Sequence, residues 1–194
     1  MKKILMRYIL PLLSIILLAG FDQLVKFWTI KNIELHDRIV IWDGVFELTH
    51  IRNEGMAWGL LQNQQILFIV LTPIALLVFA YFFYKAPFTK RFMPIHIAEL
   101  LLAGGAIGNL IDRMFRGEAL FKGNVVDMFY VKLINFPVFN VADSYITIAC
   151  VMLVVFVLFY YKEDEFNLMF PLPFAKKKEQ VAEGRETKED AENH

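Results

Sequence analysis

The sequence predicts a polytopic α-helical membrane protein, four transmembrane helices with a small extracytoplasmic β-sheet between helices one and two. Three observations carry that expectation. The 194 residues are 57% hydrophobic with a mean hydropathy of +0.48, too apolar for an ordinary soluble domain. The apolar residues fall in runs of bilayer-crossing length rather than at amphipathic spacing. The 20 basic and 20 acidic side chains cancel, yet they gather at the N-terminus, in loops and after Tyr161. The single cysteine, Cys150, lies in an apolar run, which leaves no internal disulfide and no metal-binding spacing.

The first span is expected from about Tyr8 to Trp28. Lys2, Lys3 and Arg7 ahead of an apolar stretch closing on Leu18-Ala19-Gly20 imitate a secretory signal peptide. The next residue is Phe21 rather than a modifiable cysteine, and apolar character resumes through Leu24, Val25, Phe27 and Trp28. The stretch therefore reads as an uncleaved helix, with Pro11 tolerated in its first turns. Near its far end Asp22 and Lys26 stand four apart, on one face. Alone, such a pair is as readily an interfacial ion pair as part of a site.

Between Lys31 and Gln65 the period changes. Arg38 to Trp42 and Val45 to Ile51 are rich in β-branched and aromatic residues and flank Asp43-Gly44, a dipeptide that favours a two-residue hairpin turn. A small sheet at the membrane surface follows, with the cradle extending over about residues 38–59. In Arg52-Asn53-Glu54-Gly55-Met56-Ala57-Trp58-Gly59 the bland reading is a loop with Trp58 at the interface. Functionally, Asn53 offers an amide to a substrate backbone and Gly55 permits close approach.

Further spans are expected at about residues 66–84, 94–114 and 141–161, with Pro73 inside the second and Pro94 in the first turn of the third. Together they give a membrane domain over 1–162, followed by a charged, disordered tail over 163–194. Four spans place both termini on one side. Lys2, Lys3, Arg7, the basic loop from Lys85 to Arg91, Lys162 and Lys176 to Lys178 would then be cytoplasmic, as the distribution of Lys and Arg around spans requires.

That topology brings Asp22, Lys26, Asn109, Asp112, Arg113, Asn140 and Asp143 to one depth at the outer leaflet, with Asp127 in the loop between helices three and four. Snorkelling side chains would scatter over both faces, so convergence points to a water-accessible site. His96 and Glu99, at the other end of helix three, read as interfacial. Gly104 and Gly108, four apart, suit close helix packing, with passage of a substrate segment as the alternative. Arg113 either pairs locally with Asp112 or holds a nearby carboxylate ionised.

No serine or cysteine stands with a histidine in a nucleophilic arrangement, no ligand cluster suits a metal, and no glycine-rich loop follows a strand to cradle phosphate. Two carboxylates remain, Asp127 and Asp143. Brought within about 3 Å, two aspartates share one proton; the ionised one takes a proton from water and the protonated one polarises a carbonyl. A proton-coupled transporter uses the same kind of carboxylate, and a structural module in which polar residues only fix packing is a third reading.

Asp22-Gln23-Leu-Val-Lys26, Asn53-Glu-Gly55-Met-Ala57-Trp58-Gly59, Gly104-Gly105-Ala-Ile-Gly108-Asn109-Leu-Ile-Asp112-Arg113, Val126-Asp127 and Phe139-Asn140-Val-Ala142-Asp143-Ser144 resemble, in that order, the motif series of bacterial lipoprotein signal peptidase, signal peptidase II. The resemblance covers about Ile15 to Ala149. It implies a monomeric inner-membrane aspartyl endopeptidase without metal or cofactor, its active site at the outer leaflet and both termini cytoplasmic. Such an enzyme removes the signal peptide from a prolipoprotein just before a diacylglyceryl-modified cysteine, binds membrane lipid but no nucleic acid, and takes globomycin-type inhibitors in the same cleft. Asp127 and Asp143 match the catalytic pair. Asp22, Lys26, Asn53, Gly55, Gly108, Asn109, Asp112, Arg113, Asn140 and Ala142 match residues that support the pair or line the substrate site. Trp58 departs from the pattern, standing where the family often has phenylalanine.

Overall fold

The computed structural model describes residues 4–55 and 64–169. Lys2, Lys3, the stretch from Met56 to Gly59 and the tail beyond Met169 lie outside the described residues. Among the described residues, four helices are long and apolar enough to cross a membrane: α1 (Leu5–Asn32), α2 (Gln65–Lys85), α3 (Met93–Phe115) and α4 (Val141–Tyr160). At most ends they run past the apolar stretch that reveals them, because backbone hydrogen bonding continues after hydropathy falls. The Ile33 N–H, for example, donates to the Thr29 carbonyl at 2.9 Å.

Helix α3 is central and packs against α1, α2 and α4. Its glycines explain how closely. A Cβ on Gly104 would lie 2.7 Å from the Leu18 Cβ, one on Gly105 2.5 Å from the Ala142 carbonyl oxygen, and one on Gly108 2.6 Å from the Asp22 carboxylate. Each glycine therefore faces a neighbouring helix, which is the packing role of small residues in membrane bundles. Helix α2 has no buried residue, as befits a helix whose remaining faces meet lipid.

Three antiparallel strands, β1 (Arg38–Trp42), β2 (Phe46–Asn53) and β3 (Val125–Val131), form one sheet in the order β1-β2-β3. The turn takes three residues rather than two: Gly44 adopts φ +70° and the Val45 N–H donates to the Trp42 carbonyl at 3.0 Å. Asp127, expected in a loop, lies within β3 instead. The run Val125-Val126-Asp127-Met128-Phe129-Tyr130-Val131 has strand composition, but its partner β2 is more than seventy positions earlier, so no local turn announces the pairing.

Two further readings change at the opposite end of the bundle. His96 and Glu99 are buried rather than interfacial. The His96 ring packs 4.6 Å from that of Phe83 and 5.1 Å from that of Phe88, with Nδ1 3.4 Å from Glu99 Oε2. The start of the tail is helical, α5 (Glu163–Met169), and its Glu165 binds Arg91 at 2.8 and 2.9 Å. Arg91 also lies over the Tyr160 ring, 4.0 Å from its centroid. The bidentate pair lowers the Glu165 carboxyl to about 2.

Replacing Gly105 by alanine should cost about 1–3 kcal/mol through overpacking against Ala142 and Ile146. Gly20→Ala, where a Cβ meets nothing within 4 Å, should not lower stability; thermal unfolding of both variants in detergent compares them.

Candidate active site

The site is built outward from one buried cation. Lys26 Nζ, without solvent exposure, lies 2.8 Å from Asp22 Oδ2, 2.8 Å from Asp112 Oδ2 and 2.9 Å from Asn109 Oδ1. An ammonium has three protons, and each has an acceptor. Desolvating a charge is tolerable only with such pairing.

The two carboxylates then reach further elements. Asp22 Oδ1 accepts the Ala142 N–H at 2.9 Å, one of the first N–H groups of α4 that helix geometry leaves unpaired. Asp112 Oδ2 accepts the Val126 N–H at 3.1 Å, and its Oδ1 accepts Arg116 Nε at 2.7 Å and Gln23 Nε2 at 3.0 Å. Asp112 thus pairs with Lys26 and Arg116 rather than with Arg113, because consecutive helix residues face different directions. Arg116 and Gln23, bonded to each other at 2.9 Å, complete the network without belonging to the expected site set. The four-residue spacing of Asp112 and Arg116 is the signal that points to that pair.

Two asparagines carry the order on to the aspartates. Asn109 Oδ1 accepts from Lys26 and, at 3.1 Å, from Asn140 Nδ2. Its amide is thereby oriented so that Nδ2 donates to Asp143 Oδ1 at 2.8 Å. Asn140 is the N-cap of α4: its Oδ1 accepts the Asp143 N–H at 2.9 Å and its own N–H donates to Asp143 Oδ2 at 3.1 Å, a capping box. The same Asn140 Nδ2 donates to Asp127 Oδ1 at 2.6 Å. Asn53, on β2, donates to Asp127 Oδ2 at 2.8 Å and accepts the Gly55 N–H at 2.9 Å.

Asp127 and Asp143 both line a cavity of about 790 Å³ together with Asn53, Gly55, Asn109 and Arg113. All four carboxylate oxygens accept an N–H, and among the described residues no hydrogen bond joins the two carboxyl groups directly. Burial, reinforced by the charge of Asp143, pushes the Asp127 carboxyl up to about 7, against the bonds from Asn53 and Asn140 and the charge of Lys26. Arg113 donates to the Gly55 carbonyl at 3.1 Å and sits 4.5 Å over the Phe68 ring. Further along, the cavity wall turns apolar through Ala106, Phe139 and Ile146.

The expected residues therefore divide by position. Asp127, Asp143, Asn53, Gly55, Asn109 and Arg113 face the cavity, while Asp22, Lys26, Asp112 and Asn140 are buried and hold those that do. Gly108 makes room for the Asp22 carboxylate, and Ala142 donates its backbone N–H to it. Among the described residues no group of three or more His, Cys, Asp or Glu is placed to hold a metal ion. Two carboxylates at the end of an apolar cleft can exchange protons with water and with a polar group brought between them.

Residues 14–159 match the family described as signal peptidase (SPase) II. Among curated proteins, the chain is 39% identical to the lipoprotein signal peptidase of Lactococcus lactis subsp. lactis (strain IL1403), over 79% of this chain and 96% of that protein. It is 38% identical to the lipoprotein signal peptidase of Streptococcus thermophilus (strain CNRZ 1066), over 77% and 92% respectively. Among solved structures, one of a bacterial membrane enzyme obtained by the in meso method superposes with a TM-score of 0.68 at 29% identity, covering 80% of this chain and 93% of that one. A second of the same description gives 0.65 at 29%, covering 79% and 96%.

Lys26→Met would leave Asp22 and Asp112 buried without their shared cation, an expected loss of about 3–5 kcal/mol. Thermal unfolding and the yield of monodisperse protein should both fall, whereas Lys31→Met, at an exposed position, should change neither.

Proposed function

The chain belongs to the signal peptidase II family, and from that premise we propose that it is an intramembrane aspartyl endopeptidase that removes the signal peptide from diacylglyceryl-modified prolipoproteins, cutting before the lipidated cysteine. The observation that carries this reading is the pair Asp127 and Asp143, drawn from a strand and a helix to one cavity and each held by two N–H donors. With one proton on the pair, the ionised carboxylate takes a proton from water, which attacks the scissile carbonyl. The protonated partner polarises that carbonyl and later protonates the departing amine. Asn53, Asn109 and Asn140 keep both carboxylates fixed while the proton moves.

The apolar cavity wall suits the signal peptide, an apolar helix whose lipidated cysteine holds the scissile bond at the membrane boundary. Arg113, beside the Gly55 carbonyl, offers donors to an extended backbone. A globomycin-type cyclic peptide would occupy the same cavity. The site lies at the outer leaflet of the bacterial inner membrane, and both termini are cytoplasmic. Arg7, bonded to the Tyr84 carbonyl at 2.6 Å, and Arg91, beside Tyr160, stand at the end away from the sheet, which is the end the distribution of basic residues assigns to the cytoplasm. Among the described residues, both carboxylates and the donors that hold them come from one chain, so one copy is the working unit of this reading.

A gel-shift assay in detergent with a diacylglyceryl-modified prolipoprotein tests the reading. Wild type should cleave and be blocked by globomycin. Folded Asp127→Asn and Asp143→Asn should each lose about 10³-fold or more in rate. Solute movement across proteoliposomes without any cleavage would replace the peptidase with a proton-coupled transporter.

The raised Asp127 carboxyl also fixes the sign of the pH dependence. A pair that needs one proton loses activity as pH rises through about 7. Asn53→Ala removes a donor that favours ionised Asp127, so its alkaline limb should move to higher pH in profiles of kcat/KM.

A further inference from the structure

The spanning helices carry five serine and threonine side chains, Ser14, Thr29, Thr72, Ser144 and Thr147. A helical hydroxyl surrounded by lipid satisfies itself by bonding back to the carbonyl four residues earlier. Ser14 does so to Leu10 at 2.9 Å, Thr29 to Val25 at 3.0 Å and Ser144 to Asn140 at 3.0 Å. Thr72 and Thr147 depart from that habit: among the described residues neither hydroxyl has a hydrogen bond. Both of them, one on α2 and one on α4, line the cavity that holds Asp127 and Asp143.

Their depths match. α2 begins at Gln65, whose side chain donates to Asn124 just ahead of β3 at 2.5 Å, and α4 begins beside Asn140, which grips Asp127 of the same strand. At 1.5 Å per residue, Thr72 lies about 10 Å along α2 and Thr147 about 9 Å along α4 from that common end. Thr147 follows Asp143 by four residues, so it shares that face and stands about 6 Å deeper. Thr72 likewise follows Phe68, the ring beneath Arg113. Beyond Asn109 the lining residue of α3 is Ala106, which has no polar side chain to offer.

Hydroxyls in that position suit one kind of partner. In the peptidase reading, on which this step rests, the substrate arrives as an apolar helix, and a helix engages each carbonyl with the N–H four residues on. Water can attack only a carbonyl presented to the carboxylates, so the helix must unwind at the bond to be cut. Unwinding leaves N–H and C=O groups unpaired where lipid has nothing to pair them with. The segment on the amino side of the scissile bond lies deeper, since a signal peptide runs from that bond back towards the cytoplasm. In an extended chain 6 Å spans about two residues. A hydroxyl both donates and accepts, so it matches either backbone group. We propose that Thr72 and Thr147 are substrate-binding residues whose hydroxyls take up the backbone groups of this unwound segment, about two residues ahead of the scissile bond. The cleft thereby favours a chain whose backbone opens at that depth, without reading its side chains there.

Cleavage kinetics of the full-length protein in detergent, with a synthetic diacylglyceryl lipopeptide, test this. Thr72→Val and Thr147→Val keep the branched shape and remove the hydroxyl. Each should lower kcat/KM about fivefold, the worth of one hydrogen bond, while thermal unfolding does not fall. Thr72→Ser and Thr147→Ser should recover most of the loss. Lipopeptides in which the three amides ahead of the scissile bond are replaced by esters, one at a time, then show what the hydroxyls touch. At one position the ester should slow wild type about fivefold and slow a valine variant little further, because the bond it removes is already gone. Valine variants that cleave like wild type, or a loss that serine does not recover, would overturn the inference. So would ester effects equal in wild type and both valine variants at all three positions. Those outcomes leave the peptidase reading standing, whereas absence of cleavage by folded wild type removes that reading and the inference together.

Discussion

The ammonium of Lys26 is the constraint on which the rest of the structure depends. A single positive charge, out of contact with water, holds Asp22 on its own helix and Asp112 and Asn109 on α3. The second oxygen of Asp22 binds the first turn of α4, while Asp112 binds the backbone beside Asp127 and the guanidinium of Arg116. Two carboxylates are thus balanced by two cations, and the energy that desolvates them is recovered only if α1, α3, α4 and β3 all arrive together. The same bonds that satisfy the charges set the positions of the cavity carboxylates. Packing and site cannot be separated here, since Gly108 must lack a side chain for Asp22 to reach its place.

The spans were legible because lipid demands long apolar runs, and the turn between β1 and β2 because Asp43-Gly44 favours positive φ. β3 was not, for a physical reason. Strand pairing between residues as distant as Asn53 and Val125 leaves no periodic or turn signal near either, and one aspartate inside an apolar run reads equally as a loop or a strand. Likewise Asp112 and Arg113 are neighbours in sequence but not partners, since a helix turns them apart and offers Asp112 two better cations. His96 showed charge capacity but not the aromatic walls of Phe83 and Phe88 that bury it. At the site, the ordered motifs named side chains that the structure gathers around one cavity; what they did not contain was the division between residues facing the cavity and residues holding them. That division is tertiary, since it depends on which face of α3 meets α1. Local clues lay in the Asn140-x-x-Asp143 spacing, that of a capping box, and in the four-residue spacings of Asp22 with Lys26 and of Asp112 with Arg116.

Asn140 shows why this buried position takes an amide. As an N-cap, aspartate or serine would serve α4 as well. The side-chain oxygen of Asn140 is used for capping, but its nitrogen donates to both Asn109 and Asp127. A carboxylate there would face Asp127 with an acceptor at 2.6 Å and add a third negative charge between the two already present; a hydroxyl carries a single proton for two acceptors. The amide alone caps the helix that bears Asp143 and grips the strand that bears Asp127, neutral in charge at both contacts. The separation of the two carboxylates is therefore set by one rigid planar group, itself oriented by Asn109 and, through it, by Lys26. A helix and a strand from distant parts of the chain are thus held in register through Asn140, without a hydrogen bond between the two carboxyl groups.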